Sequence, residues 1–213
     1  MNFNWANPYA TVRTPVFARN VVATSQPLAA QAGLRILQDG GNAVDAAIAA
    51  AAVITMTEPC SNGLGSDNFA IVWDPESGRL YGMNSSGTAP AAWTRQYFER
   101  KYREPQIPLR GWDSVTVPGA VAGWSLLHGK FGKRTFADVL APAIEYAERG
   151  FAVSPIVQDK WVRATPLLRA LPGFAEHFLP NGRPPAVGEH FVLGGAARTL
   201  KLIADTRGEA FYR

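Results

Sequence analysis

Paired cysteines, clustered histidines and runs of like charge are all missing from this sequence. Cys60 is the one cysteine in 213 residues, so the chain can form no internal disulfide and no paired-cysteine metal site. That usage fits a reducing compartment, and a cytoplasmic location is expected. The histidines, His128, His177 and His190, stand far apart with no partner at the spacing of a helical metal site, so no metal is expected. The 21 Lys and Arg give a net charge of +4 but are scattered, which removes the basis for a nucleic-acid partner.

Targeting and spanning signals are absent as well. The start, MNFNWANPYATVRTPVF, has no basic cluster followed by an apolar stretch, so neither a secretory signal nor a transit peptide is expected. Residues 46–57 carry no charge, but twelve residues are too few to cross a hydrocarbon core of about 30 Å, and no membrane partner is expected. There is no G-x-S-x-G elbow, no P-loop lysine and no internal repeat. GLGSDN, at 63–68, follows a helical pattern and precedes a strand pattern, the reverse of the order a dinucleotide loop requires. No motif implies a cofactor.

What is present is an ordinary globular composition, 47% hydrophobic and 18% charged, with a succession of capped helical patterns. After an irregular leader to Asn20, VVATS at 21–25 reads as a short buried strand. Pro27 suits the first turn of a helix with Ala29, Ala32, Ile36 and Leu37 on one face, ending near Gly40. Asn42 caps a second helix, with Asp45 in its first turn. Alanines at 46, 47, 49, 50, 51 and 52 lie on every side of that helix, which implies burial all round under closely approaching neighbours. Pro59 stops it.

FAIVW and RLYGM read as a hairpin around DPESG, and Thr94 caps a polar helix to about Tyr102. REPQIPLRGW, at 103–112, is irregular, and SVTV at 114–117 reads as a strand before Pro118 and Gly119. A helix follows with Val121, Trp124, Leu127 and His128 along one side. Thr135 caps another, with Val139, Leu140, Ala143 and Ile144 inward. From Ser154 the helical pattern is broken at Pro166 and Pro172, and a last amphipathic stretch begins at Gly194. Two loops of small residues, 61–68 and 84–88, border the hairpin, and such loops bring backbone N–H groups and short hydroxyls close to a bound carbonyl or anion.

Five collinear blocks resemble the front of the large subunit of the gamma-glutamyltransferase (gamma-glutamyl transpeptidase, glutathione hydrolase) family. They are VVATSQPLAAQAGLRILQDGGNAVDAAIAAA, EPCSNGLGSDNFAIVWD, SSGTAPAA, SVTVPGAVAGWSLLHGKFG and LAPAIEYAERGFAVSP, from Val21 to Pro155, and the closing GEAFYR fits a later family segment. The resemblance implies an α+β N-terminal nucleophile hydrolase, a four-layer αββα sandwich made by a self-cleaving precursor. Residues 1–213 would be one incomplete, helix-rich N-terminal part of it. The threonine nucleophile would begin a small subunit, the expected partner in a hetero-oligomer. That threonine would attack a gamma-glutamyl or related small-molecule amide such as glutathione, passing the acyl group to water or an amino acid. No catalytic residue is expected within this chain, and the chain alone is expected to be inactive.

The same resemblance places substrate contacts in the loop Ser85, Ser86, Gly87 and Thr88. In gamma-glutamyl-specific members an arginine shortly before Thr-Ala-Pro grips the substrate α-carboxylate, and that slot here is Ser86. Branches with an SGRAP loop carry arginine where this chain has Thr88. Neither position is basic, which opens a cephalosporin-acylase-like substrate as an alternative. A non-catalytic binding or scaffold role is the alternative of a different class.

Overall fold

The computed structural model describes residues 15–103 and 106–213. Most of the expected leader, and part of the irregular stretch 103–112, lie outside the described residues.

The first two helices are set by their caps. Helix α1 (Pro27–Gln38) starts with Pro27 and with the Gln26 side chain accepting from Leu28 N–H. Helix α2 (Ala43–Thr57) carries a capping box: Asn42 Oδ1 accepts from Val44 and Asp45 N–H, both at 3.0 Å, and Asp45 Oδ2 accepts from Asn42 N–H at 3.1 Å. Strands β1 (Asn68–Asp74) and β2 (Arg79–Ser85) form an antiparallel hairpin pairing Trp73 with Leu80 and Asn68 with Ser85. Helix α3 (Arg95–Lys101) is capped by Thr94, and a single 3-10 turn (Trp112–Ser114) precedes α4 (Ala120–Phe131).

Helix α5 (Phe136–Arg149) begins at Thr135, whose hydroxyl accepts from Asp138 N–H at 3.1 Å. Then come β3 (Phe151–Ala152), α6 (Pro155–Leu168), α7 (Phe174–Phe178), β4 (His190–Phe191), α8 (Gly194–Thr206) and α9 (Glu209–Tyr212). Strands β3 and β4 pair antiparallel.

Helix α2 is the axis of the core. It packs on α1 and α5, and α5 packs in turn on α8. Ala29 and Ile36, Ala49 and Val53, Leu140 and Ala143, and Leu200 and Ile203 are buried together there. A second, smaller cluster joins Phe151, Val157, Trp161 and Phe191 over the β3–β4 pair.

Four sequence expectations need correction. Residues 21–25 form no strand, and neither do 114–117, because no other strand among the described residues pairs with them. Pro166 does not break α6, which ends two residues later at Leu168, so little helix depends on the lost N–H. Helix α2 is not buried all round: Ala43 and Ala47 are exposed and Ala51 is half-buried, a stripe at i, i+4 and i+8. The outer face of the hairpin is equally open, with Phe69, Ile71, Trp73 and Leu80 between 61% and 78% exposed.

Candidate functional site

The two small-residue loops do come together, and they meet at the start of α4. Strand β2 ends at Ser85, whose hydroxyl donates to the Gly119 carbonyl at 2.7 Å. Beyond it Val117 N–H donates to the Thr88 carbonyl at 3.0 Å, and the Thr116 hydroxyl donates to the Ser86 carbonyl at 3.3 Å. Asn84 Oδ1 accepts from Ser86 N–H at 3.0 Å, which fixes the turn between Ser85 and Gly87.

From the other loop the Ser66 carbonyl accepts from both Gly119 N–H at 3.1 Å and Ala120 N–H at 2.8 Å. Helix α4 has no side-chain cap, and Ser66 satisfies these donors in its place. Tyr212 closes the far side, donating its hydroxyl proton to the Pro118 carbonyl at 2.8 Å and accepting from Ala122 N–H at 3.0 Å.

Close backbone approach explains the small residues. Gly87 has φ +78°, and a Cβ there would lie 1.8 Å from the Val117 carbonyl oxygen. A Cβ on Gly119 would lie 2.1 Å from the Ser85 carbonyl oxygen. Only glycine allows the three strips 63–68, 85–88 and 116–119 to touch. Beneath them Asn68 Nδ2 is buried without a hydrogen-bond partner among the described residues.

Ser85, Ser86, Gly87 and Thr88 lie on one short strip bonded to 116–119. The strip offers hydroxyls and backbone groups and carries no charge. Sequence reasoning missed Ser66 and the 116–119 strip as its supports. Pro118-Gly119 ahead of a helix was the available signal.

The polypeptide between Thr88 and Thr116 makes an excursion from this strip. Asp113, only 7% exposed, accepts from Lys101 Nζ at 2.7 Å, from the Tyr97 hydroxyl at 3.0 Å and from the Tyr102 hydroxyl, tying α3 to the returning 3-10 turn. Those donors hold the Asp113 carboxyl below its ordinary value of 3.8, Lys101 first, and Asp113 in turn pushes the Lys101 ammonium upward. A depressed carboxyl stabilises above its unfolded pKa, and that contribution is lost as the pH falls through the folded value. We expect the tyrosine fluorescence of this excursion to stay constant from neutral pH down to the ordinary carboxylate range and to change only below it. Asp113→Asn should abolish that acid step.

A second polar node lies away from the loops. Asp45, fully buried, accepts from Lys133 N–H and Arg134 N–H at 3.1 Å, beyond its capping role in α2. His128 Nε2 donates to the Arg134 carbonyl at 2.8 Å, which leaves Nδ1 to accept from Arg207 Nη2 at 3.2 Å. Both ring nitrogens are committed, so His128 is a structural strut between α4 and the end of α8.

Among the described residues no three His, Cys, Asp or Glu side chains gather as a metal would need. No helix among them is long and apolar enough to cross a membrane.

Comparison with known proteins fixes the family. The cephalosporin acylase from Bacillus halodurans superposes with a TM-score of 0.93 at 46% identity, over 100% of this chain and 41% of that one. The glutathione hydrolase-like YwrD proenzyme of Bacillus subtilis is 38% identical over 94% of this chain and 38% of its own length. The acylase ACY 1 proenzyme of a Pseudomonas species (strain SE83) is 36% identical over 92% and 36% respectively. The chain thus spans about two fifths of the length of these relatives. Its fold is the helix-rich first part of an α+β N-terminal nucleophile hydrolase. The sequence pattern described as Gamma-glutamyltranspeptidase matches residues 29–213, and the chain belongs to the gamma-glutamyltranspeptidase family.

Proposed function

We propose that these residues form the first portion of an amide-cleaving acyltransferase or hydrolase, matured from a precursor by self-cleavage. A threonine on a companion polypeptide outside the 213 residues is the nucleophile. Its hydroxyl oxygen bonds to the amide carbonyl carbon, the C–N bond breaks and the amine leaves with a proton. Water or an amino acid then takes the acyl group from the resulting ester. The 85–88 strip forms one wall of the substrate pocket, and the chain alone turns nothing over.

The observation that carries this reading is the strip itself. It is held in place by hydrogen bonds with 116–119, and it presents small uncharged residues, with Ser86 half-buried and Thr88 exposed. Gamma-glutamyl amides are the first substrate class to consider, as the family relation suggests. A second reading, an acylase acting on amides of less polar acids, draws support from the uncharged Ser86 and Thr88. It is also supported by the likeness to the Bacillus halodurans cephalosporin acylase.

Ser86→Arg in the complete protein separates the two. If the strip faces the acyl group, the new guanidinium can pair with an α-carboxylate, and kcat/KM for a gamma-glutamyl anilide should rise about tenfold, equivalent to ~1.4 kcal/mol. Turnover of a neutral acyl anilide should be unchanged or fall. Equal effects on both substrates would remove the strip from acyl recognition.

A further inference from the structure

The close approach of the strips leaves the first turn of α4 without its ordinary cap. Gly119 is the N-cap, the position from which a serine, threonine or aspartate side chain would bond the third helical N–H, that of Ala122. No side chain fits there, because a Cβ on Gly119 would lie 2.1 Å from the Ser85 carbonyl oxygen. The cap comes instead from 90 residues away: the Tyr212 hydroxyl accepts from Ala122 N–H at 3.0 Å and donates to the Pro118 carbonyl at 2.8 Å. Its proton and a lone pair thus clasp the backbone on either side of Gly119.

A sharp elbow between α8 and α9 brings that hydroxyl into place. Arg207 and Gly208 are both left-handed, with φ +54° and +89°, and Arg207 is one of two residues other than glycine with this backbone among the described residues. Two contacts anchor the elbow on α4. Arg207 Nη2 donates to His128 Nδ1 at 3.2 Å, and Gly208 lies so near that an added Cβ would be 2.9 Å from Val121 Cγ1.

We infer that Tyr212 is a positioning residue for amide cleavage: its hydroxyl fixes the Pro118–Gly119 end of the 116–119 strip and, through it, the 85–88 wall of the substrate pocket. The inference rests on the functional reading above. The route is short, since the bonds between the two strips, from the Ser85 hydroxyl to Gly119, from Val117 N–H to Thr88 and from the Thr116 hydroxyl to Ser86, all meet 116–119 within two residues of Pro118. The tyrosine hydroxyl bonds Pro118 and Ala122 and not the wall, so it acts through them.

The test is Tyr212→Phe in the complete protein, which keeps the ring and removes the hydroxyl. Amide exchange at Val117 should quicken at least about tenfold. With whichever anilide the wild type turns over, gamma-glutamyl or neutral acyl, KM should rise about fivefold or more while kcat stays within about twofold, because the hydroxyl shapes the wall and not the reacting atoms. Thr165→Val is the control: it removes a buried hydroxyl bond to the Trp161 carbonyl in α6, and it should lower Tm by a similar few degrees with KM and Val117 exchange unchanged.

Unchanged exchange at Val117 in Tyr212→Phe overturns the inference and leaves the pocket reading standing, since the strip would then hold without the hydroxyl. Faster exchange with an unmoved KM overturns both, because a loosened wall must show in substrate binding. An equal rise in KM for Thr165→Val reduces the effect to general stability and overturns the positioning role alone.

Discussion

Gly87→Ala should destabilise the protein by about 3–4 kcal/mol, a large part of a typical domain's stability of roughly 5–15 kcal/mol. The left-handed backbone at φ +78° costs a residue with a Cβ about 1–2 kcal/mol. The larger effect is steric, because the new carbon would lie 1.8 Å from the Val117 carbonyl oxygen, on a strip that cannot retreat while Gly119 and Ala120 are bonded to Ser66. The Thr88–Val117 and Ser86–Thr116 bonds must therefore open, at about 1 kcal/mol each.

Gly78→Ala is the control, since it has a similar φ of +62° with nothing within 4 Å of the added carbon. It should cost only about 1 kcal/mol. Thermal unfolding of the complete protein reads the difference as a drop in Tm of roughly 10 °C for Gly87→Ala against a few degrees for Gly78→Ala. Equal drops would show that the strips are free to separate. Amide turnover by any surviving Gly87→Ala protein should fall with it if the 85–88 strip is the pocket wall proposed above, since the strip would no longer be held.

Asp45→Ala should be as damaging by a different route. The carboxylate is fully buried and satisfies the N–H groups of Asn42, Lys133 and Arg134 at once. Its removal leaves those donors without an acceptor and takes a negative charge from the N-terminus of α2. Losing one side of such a buried charged cluster costs about 3–5 kcal/mol. Asp45→Asn keeps one acceptor oxygen and should fall between wild type and Asp45→Ala. A loss below about 1 kcal/mol for Asp45→Ala would mean that water replaces the carboxylate and that the turn at 133–134 is set by its own backbone.

Much of this was legible in the sequence because it is local. Asn42 with Asp45 three residues on, Thr135 with Asp138, and the alternation of FAIVW about DPESG each need only neighbours, and the structure has the expected caps and hairpin. VVAT and SVTV failed as strands because a strand is defined by a partner elsewhere in the chain, and no strand ladder pairs with either among the described residues.

The burial of α2 was half legible for the same reason. Composition showed that close neighbours were possible, and only the fold shows that they cover Ala49 and Val53 and leave Ala47 bare. At the candidate site the loop Ser85, Ser86, Gly87 and Thr88 was singled out only through family resemblance. Ser66 and the 116–119 strip act through backbone carbonyls and N–H groups, which every sequence has, so no residue type announced them.

The bare ridge of Phe69, Ile71, Trp73 and Leu80 also sets a timetable for the ribosome. Helices α1 and α2 can pack on each other as they emerge, because they are neighbours in sequence, and α5 joins them only after the hairpin has emerged. The ridge cannot be covered that way. At about 5–20 residues per second, Arg213 emerges on the order of ten seconds after Phe69, and whatever covers the ridge comes later still if it lies beyond. Throughout that interval the nascent chain carries an exposed apolar hairpin, and the yield of folded protein depends on what shields it.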